Sequence, residues 1–318
     1  MLPFTRRFEM PQSDFRAEWL GVALIAVLAV VLSAFTRFHL IVTWRDGLQI
    51  AAALGVMLAL KLVSVRRGGM MAEYFAVTAA AATALGVLSY LCLAMSGPLI
   101  DDKFLAADRA LRFDWLAGYH VLLAHRIPFV LLKAAYNSMI YQNLYFCVLM
   151  SLMARKQRLR EVFWLIFIAG FLACMGAAFF PALGPYKSLG VLPPHSFLPE
   201  MEHLKSGRNL VFALGSMTGV VSFPSFHAAM ALINIWGFRR TGIIGWAAAA
   251  LNVMMLCATP WFGGHYLVDV FAGAATVLIA LCIVRSAPLM WAEYSGAITP
   301  VFGLAMRSDA VIAGAGKK

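Results

Sequence analysis

Charged residues are scarce in this chain: Lys, Arg, Asp and Glu together make up only 13% of its 318 residues, against 62% hydrophobic residues. Soluble globular domains carry about 25% charged residues, so the composition excludes an ordinary soluble domain. Several apolar stretches reach the length of about 20 residues that a helix needs to cross a membrane. The sequence therefore predicts an all-α fold, a polytopic membrane helix bundle with about eight transmembrane spans.

Cysteine is also sparse, and its spacing fits neither a disulfide framework nor a zinc site. All five cysteines lie within apolar stretches, and no two of them form a CxxC pair. Such cysteines usually serve as small packing residues. Because no cluster of His, Cys, Asp and Glu has metal-ligand spacing either, we expect no metal site and no cofactor.

The apolar stretches divide the chain into three parts. Residues 1–96 form an N-terminal three-span region, residues 97–285 a candidate catalytic region, and residues 286–318 a flexible C-terminal tail. The stretch 101–119 mixes charged and apolar residues and predicts a short amphipathic helix at the membrane interface. The eight predicted spans are about 19–36, 47–65, 72–96, 127–153, 161–180, 224–239, 242–260 and 265–285.

The basic residues that give the chain its net charge of +11 lie mainly in the loops between these spans. This placement indicates membrane topology, and we expect no nucleic-acid partner. The loops on the side of the two termini carry the larger excess of Lys and Arg. By the positive-inside rule we expect a multi-pass protein of the cytoplasmic (inner) membrane, with both termini in the cytoplasm and the 181–223 loop outside.

Two short segments each place a histidine at the start of an apolar stretch, where a membrane helix meets water. Segment 223–227 reads Phe-Pro-Ser-Phe-His, and segment 263–269 reads Gly-Gly-His-Tyr-Leu-Val-Asp. Two predicted spans separate His227 from His265, so both histidines return to the same side of the bilayer. Ionisable groups at a membrane interface are costly and indicate function. We predict a catalytic site on that side.

His265 and Asp269 lie four residues apart, so on a helix their side chains share one face. A carboxylate bonded to one ring nitrogen fixes the tautomer and leaves the other nitrogen as a nucleophile or base; a structural hydrogen-bonded pair is the alternative. One histidine that attacks and a second, His227, that protonates the leaving oxygen would suit phosphoryl transfer. Ser225 caps the helix that follows, donates to the phosphate, or does both.

Further polar residues are candidates for binding the phosphate and an acceptor molecule. An anionic substrate needs cations, and the 181–223 loop supplies three, unless these are solvated loop charges. They are Lys187, Lys205 and Arg208. A polar stripe in the fourth span faces the bundle interior, where it either lines an acceptor pocket or joins helices. Its candidate pocket residues are Asn137, Tyr141 and Gln142.

The two histidine segments resemble signatures of the type 2 phosphatidic acid phosphatase superfamily. Residues 224–227 (Pro-Ser-Phe-His) are similar to the family's Pro-Ser-Gly-His, and residues 265–269 match its His-x-x-x-Asp. The resemblance covers about residues 100–285 and implies a six-helix core and metal-independent chemistry. It also implies that His265 forms a phosphohistidine, that Asp269 orients it, and that His227 is the general acid.

The sequence differs from the common signatures of that superfamily at three places, and together these differences resemble one of its branches. Ala258 and Thr259 stand where the family usually has Ser-Arg, and Phe226 replaces its glycine. Segment 180–187, Phe-Pro-Ala-Leu-Gly-Pro-Tyr-Lys, stands in place of the first signature. These features resemble the inositol phosphorylceramide synthase-like branch, whose inositolphosphotransferases move a phosphorylated head group between lipids.

The residues and the resemblance together favour an integral membrane transferase of phosphoryl or phospho-head groups. We expect a membrane phospholipid or lipid phosphate as substrate and a polyol such as inositol as a candidate acceptor. A lipid phosphate phosphatase that uses water is the alternative. A transporter of anionic lipids is a further alternative, but transporters favour ionisable residues near the middle of the membrane, whereas these histidines lie at span ends.

Overall fold

The computed structural model describes residues 15–63, 67–191, 198–208, 210–217 and 219–286. Within these ranges the chain is mainly α-helical, as the composition predicts. The described residues also contain a short parallel pair of strands, β1 (His39–Ile41) and β2 (Val211–Ala213). A 3-10 turn follows at Leu214–Ser216. The predicted flexible tail lies outside the described residues, apart from its first residue.

The helices, in chain order, are α1 (Arg16–Ala34), α2 (Trp44–Val63), α3 (Arg67–Met95), α4 (Asp101–Ala110), α5 (Trp115–Ala124), α6 (Arg126–Asn137), α7 (Met139–Leu152), α8 (Lys156–Phe179), α9 (Pro185–Ser188), α10 (Leu198–Ser206), α11 (Phe226–Phe238), α12 (Ile243–Phe262) and α13 (Leu267–Ser286). The predicted amphipathic helix in 101–119 is observed as α4, followed by the start of α5.

Among the described residues, five helices are long and apolar enough to cross a membrane: α1, α3, α8, α12 and α13. The pair α5 and α6, bent by 112°, makes a sixth candidate. This number is lower than the eight spans expected from apolar runs, partly because α11 has only 13 residues. At 1.5 Å per residue it reaches about 20 Å, short of a core roughly 30 Å thick.

The fourth predicted span, 127–153, is not one helix. It is divided at Ser138 into α6 and α7. The Ser138 hydroxyl donates 2.6 Å to the carbonyl oxygen of Ala135, and its backbone N–H donates to the same oxygen. These bonds close a turn at the end of α6, at a serine whose hydroxyl competes for the helix carbonyl groups.

Helix α8 lies at the centre of the bundle and packs against α3, α11 and α13. Helix α1 is fastened to it by a buried ion pair in which Arg160 Nε lies 2.7 Å from Glu18 Oε1. The Trp164 indole donates to the same carboxylate oxygen over 3.0 Å. These bonds connect the N-terminal helices rigidly to the helices that carry the histidine segments.

Two glycines let the histidine segments approach their neighbouring helices. A Cβ atom at Gly176 of α8 would lie 2.1 Å from Pro224 Cδ, and one at Gly273 of α13 would lie 2.3 Å from the Ser225 carbonyl oxygen. Real Cβ atoms do not approach so closely, so only glycine allows this packing. Segment 223–227 is thereby held between α8 and α13, beside His265.

Candidate active site

His265 lies between the end of α12 and the start of α13, so it does not share a helix with Asp269 as the spacing predicted. Its side chain is almost fully buried. Its Nδ1 lies 2.8 Å from the carbonyl oxygen of Ser222 and 3.4 Å from Oδ2 of Asp269. A carbonyl oxygen only accepts hydrogen bonds, so Nδ1 must carry the proton. The proton-free nitrogen of the neutral ring is therefore Nε2, the nitrogen that a nucleophile needs.

Asp269 occupies the first turn of α13 and is fully buried. Its Oδ2 also accepts a 2.9 Å hydrogen bond from the backbone N–H of Tyr266. Its backbone carbonyl oxygen accepts a 3.0 Å bond from the N–H of Ser225. Asp269 therefore holds the backbone around His265 and joins the two histidine segments to each other.

His227 stacks on Tyr136, which comes from the end of α6. The two ring centroids lie 4.1 Å apart with an interplanar angle of 12°, and the Tyr136 hydroxyl lies 3.2 Å from His227 Nδ1. The ring stack thus fixes the plane of the imidazole, and the contact with the tyrosine hydroxyl occupies its Nδ1. The other nitrogen, Nε2, is the atom left for chemistry.

Ser225 caps α11, which is one of the two roles expected for it. Its Oγ accepts from the backbone N–H of Ala228 over 3.4 Å, and the residue is fully buried. The side chain does not line the cavity described below. The observed hydrogen bond of the Ser225 side chain therefore stabilises the start of α11, the helix that carries His227.

One cavity of about 450 Å³ contains both histidines. Its polar lining near the imidazoles includes Tyr136, Ser222 and the backbone of Gly263 and Gly264. A Cβ atom at Gly263 would lie 2.5 Å from His265 Cδ2 and 2.9 Å from the Tyr136 hydroxyl, so glycine permits these groups to converge. The volume lies within the usual range of ligand sites.

Ser222 is a site residue that the sequence did not reveal. Its carbonyl oxygen binds His265, while its buried Oγ has no hydrogen-bond partner among the described residues. A buried hydroxyl without a partner is costly, and Ser222 is one of the residues that line the cavity. Nothing distinguishes Ser222 from other loop serines in the sequence.

Two acidic residues of α4 hold the loops of the site. Asp101 accepts from the backbone N–H groups of Leu183 (3.0 Å) and Gly184 (2.8 Å) and from the Tyr266 hydroxyl (3.0 Å). Asp108 accepts from the N–H groups at the start of α13, with 3.0 Å to Leu267. Burial raises the pKa of the Asp108 carboxyl, and its backbone hydrogen bonds oppose that shift. The sequence indicated the helix but not these contacts.

The three predicted phosphate cations do not converge on the cavity. Lys187 forms an exposed ion pair with Glu202, and Lys205 donates 2.8 Å bonds to the carbonyl oxygens of Ser96 and Gly97. Partial burial lowers the pKa of the Lys205 ammonium. Arg208 is exposed. Among the described residues, none of the three lines the cavity that holds the histidines.

The predicted acceptor residues are also dispersed. Asn137 and Tyr141 are exposed, the latter by 73%, on the outer surface. Gln142 is buried, donates 2.8 Å to the Ser138 hydroxyl and accepts 2.6 Å from the Asn252 amide. It therefore joins α7 to α12, which is the interhelical alternative for this stripe. The cavity is lined instead by the neighbouring Tyr136, Met139 and Ile140.

The residues that depart from the common signature have different surroundings. Phe226 lines the cavity, where its ring narrows the space beside α8. Thr259 is buried in α12, and its hydroxyl donates 2.7 Å to the carbonyl oxygen of Met255 in the same helix. The threonine hydroxyl is thus satisfied locally, so it does not replace a phosphate-binding arginine.

The described residues contain no group of three or more His, Cys, Asp or Glu side chains placed to hold a metal ion. The groups available at the site are two imidazoles, a buried carboxylate, hydroxyls and backbone amides. This set can perform nucleophilic and acid–base chemistry on a phosphate ester.

A family model described as the PAP2 superfamily matches residues 102–283, more than half of the chain. The match includes both histidine segments, Asp269 and the loop-holding Asp108, and it begins just after Asp101. Comparison with curated proteins and with solved structures gives no match.

Proposed function

The chain belongs to the PAP2 superfamily, and from this premise we propose that it is an integral membrane transferase that moves a phosphoryl or phospho-head group from a lipid through a phosphohistidine. Membership supports phosphatase-type or phosphotransferase-type action on lipid phosphates. The arrangement of His265 supports the covalent route, because Nδ1 is held by Ser222 and Asp269 inside a cavity shared with His227.

In the first half-reaction, Nε2 of His265 attacks the phosphorus atom of the lipid. The bond between phosphorus and the leaving oxygen breaks as the phosphorus–nitrogen bond forms. His227, protonated beside the anionic substrate, transfers its Nε2 proton to the leaving oxygen and becomes neutral. The positive charge that develops on the His265 ring is stabilised by the Asp269 carboxylate, 3.4 Å from Nδ1.

In the second half-reaction, the oxygen of an acceptor attacks the phosphorus of the phosphohistidine. Neutral His227 accepts the proton of that hydroxyl, and the phosphorus–nitrogen bond breaks to restore His265. Water gives hydrolysis, whereas an alcohol gives a new phosphate ester. The chemistry on the protein is the same in both cases, so the acceptor decides between a transferase and a phosphatase.

We assign phosphate binding to groups at the cavity wall. The Ser222 hydroxyl is buried without a hydrogen-bond partner among the described residues, which leaves it available to a phosphate oxygen. The Tyr136 hydroxyl lies near both histidines and contributes a second polar contact. This assignment replaces the cations of the 181–223 loop, whose observed positions lie outside the cavity lining.

The preference for an alcohol acceptor rests on the apolar surroundings of the histidines. Phe226 replaces the small glycine of the common signature and lines the cavity. A narrow, largely apolar cavity disfavours bulk water near the intermediate. The phosphatase alternative uses the same two histidines. It differs from the transferase only in that water, and not an alcohol, reaches the phosphohistidine.

Products analysed by mass spectrometry test this function. Purified protein is incubated with a labelled panel of phospholipids and lipid phosphates, with and without inositol, alongside the His265→Ala variant. We expect a new phospholipid when the acceptor is present and no product from the variant. Fast hydrolysis with products that no alcohol alters would establish the phosphatase alternative.

Removal of divalent ions by a chelator tests whether the proposed reaction is independent of metal. We expect turnover to be unchanged in EDTA, because two histidines, the carboxylate of Asp269 and hydroxyl donors supply every proton and charge that the scheme needs. Loss of activity in EDTA that a divalent ion restores would contradict it.

A further inference from the structure

Helix α3 lies outside the part of the chain matched by the superfamily, yet it forms one wall of the cavity that holds the histidines. Its lining residues include Ala82, Thr83, Gly86 and Ser89. They lie on one face of the helix at helical spacing, and most of them are small. The opposite wall includes Gly170 and Ala173 of α8. Leu85 of α3 also lines the cavity and packs against Gly170, so the cavity is bounded there by small side chains and by this leucine.

A second cavity, of about 640 Å³, lies against an adjoining face of α3, between that helix and α1 and α2. Its wall is almost entirely apolar. Two of the few hydroxyls in it are already satisfied, because Ser33 donates 2.7 Å to the carbonyl oxygen of Val30 and Thr83 donates 3.0 Å to that of Ala79. The wall therefore offers little to water and is chemically suited to hydrocarbon.

The two cavities meet at the same residues. Thr83 of α3 and Leu214, at the start of the 3-10 turn, line both of them. A molecule whose phosphate lies beside His265 and whose two hydrocarbon chains separate at Thr83 would occupy both spaces. A single chain would leave the second cavity unoccupied. Because the two cavities share these lining residues, a two-chain lipid is the occupant that fits both.

We propose that α1–α3 form the hydrocarbon-binding part of the active site, with one chain of a two-chain lipid phosphate in each cavity. This proposal rests on the proposed function for its substrate class. It assigns the N-terminal three-helix region the task of selecting the lipid, while residues from the superfamily match perform the chemistry.

Gly86 provides a direct test of the first cavity. A Cβ atom there meets nothing within 4 Å, so a leucine side chain fits and projects into the cavity. Gly69, on the same helix, is equally open but lines neither cavity. Both changes replace a glycine of α3 with leucine, and thermal unfolding measures any difference in stability between the two variants. Gly69→Leu is therefore the matched control.

Three substrates are compared: dipalmitoyl phosphatidic acid, its single-chain lyso form, and phenyl phosphate. For each lipid we compare its kcat/KM with that for phenyl phosphate, which has no hydrocarbon chain. In Gly86→Leu we expect this ratio to fall about tenfold for both lipids, because the leucine fills the space that a hydrocarbon chain would occupy. Ala79 lines only the second cavity. In Ala79→Leu we expect the ratio to fall only for the two-chain lipid.

The two variants test the two hydrocarbon-chain assignments separately. Ratios in Gly86→Leu equal to those in Gly69→Leu would overturn the first-chain assignment. Equal losses for the two-chain and single-chain lipids in Ala79→Leu would overturn the second. Thermal unfolding of each purified variant confirms that it is folded before kinetics are compared.

A binding experiment separates this proposal from the proposed function. Phosphatidic acid with a photoreactive group in one chain is irradiated with His265→Ala protein, and the labelled peptides are mapped. Labels in α1–α3 support the assignment, and labels confined to residues 102–283 overturn it. If the wild-type protein turns over no substrate, the proposed function fails, and the crosslinks still decide where a lipid binds.

Discussion

Nδ1 of His265 donates a 2.8 Å hydrogen bond to the carbonyl oxygen of Ser222, a residue 43 positions earlier in the chain. The carboxylate of Asp269 lies farther away, at 3.4 Å from the same nitrogen. The imidazole therefore has two orienting acceptors, and only one of them is a side chain. This arrangement predicts a graded response to mutation of the two residues in the His-x-x-x-Asp pair.

His265→Ala should abolish turnover, because the variant has no atom to carry the phosphoryl group. We expect no acid-labile phosphoenzyme after rapid mixing with labelled substrate, whereas the wild-type protein accumulates one. Size-exclusion chromatography and thermal unfolding serve as controls for folding. Normal turnover by the variant would remove His265 from the mechanism.

Asp269→Asn should reduce kcat by about 10²-fold, the lower end of the range for acid–base assistance. The Ser222 carbonyl still holds Nδ1, and the asparagine oxygen still accepts from Tyr266. What is lost is the negative charge that stabilises the developing imidazolium. Steady-state kinetics measure the effect, and a loss as complete as that of His265→Ala in folded protein would show that the carbonyl contributes no useful orientation.

Tyr136→Phe and Tyr136→Ala separate the two contacts of this residue with His227. Phenylalanine keeps the ring stack and removes only the hydroxyl, so we expect a loss in kcat of about tenfold or less. Alanine removes both contacts, and we expect about 10²-fold, the low end of the contribution of a general acid. Equal kinetics for the two variants would mean that the stack does not position the imidazole.

Asp101→Ala should destabilise the loop that follows α8. The change removes the acceptor of two backbone N–H groups and of the Tyr266 hydroxyl. Each group left unsatisfied costs about 1–3 kcal/mol, so we expect a lower thermal midpoint and reduced kcat/KM. Asp102→Ala is the matched control, since Asp102 is an exposed neighbour on the same helix. Indistinguishable variants would contradict a loop-holding role for Asp101.

The orientation inferred from loop charge can be tested by labelling. Gln157 is exposed in the basic segment at the start of α8, and Ser206 is exposed at the end of α10. Single cysteines at these positions, in a background without the five native ones, are treated with an impermeant thiol reagent in intact cells. We expect labelling at 206 only, with 157 labelled after lysis. The reverse pattern would place the histidines in the cytoplasm.

The sequence by itself determined the fold class and the catalytic candidates. Apolar composition requires helices in a membrane, because the bilayer offers backbone groups no hydrogen-bond partners. The His-x-x-x-Asp spacing is a local feature, although only Asp269 lies in a helix and His265 lies in the turn before it. The position of each histidine at the start of an apolar run is also local. These features can be read without tertiary structure.

The limits of the spans and the surroundings of the histidines were decided by the tertiary structure. Apolar runs did not reveal the break at Ser138, because hydrophobicity does not specify where backbone hydrogen bonding stops. The short α11 lies within the predicted span 224–239. The stack of Tyr136 on His227 joins residues 91 positions apart, and the bond from Tyr266 to Asp101 joins residues 165 apart. Such pairs have no periodicity that a single sequence displays.

The same reason explains why the predicted ligands of the phosphate and acceptor did not converge. Lys205 and Gln142 are polar residues of the expected kind, but their nearest partners are a helix end in one case and Asn252 in the other. A polar side chain near a membrane site has several ways to satisfy its hydrogen bonds. Only the packing of α3, α7, α8 and α12 decides which groups face the cavity and which join helices.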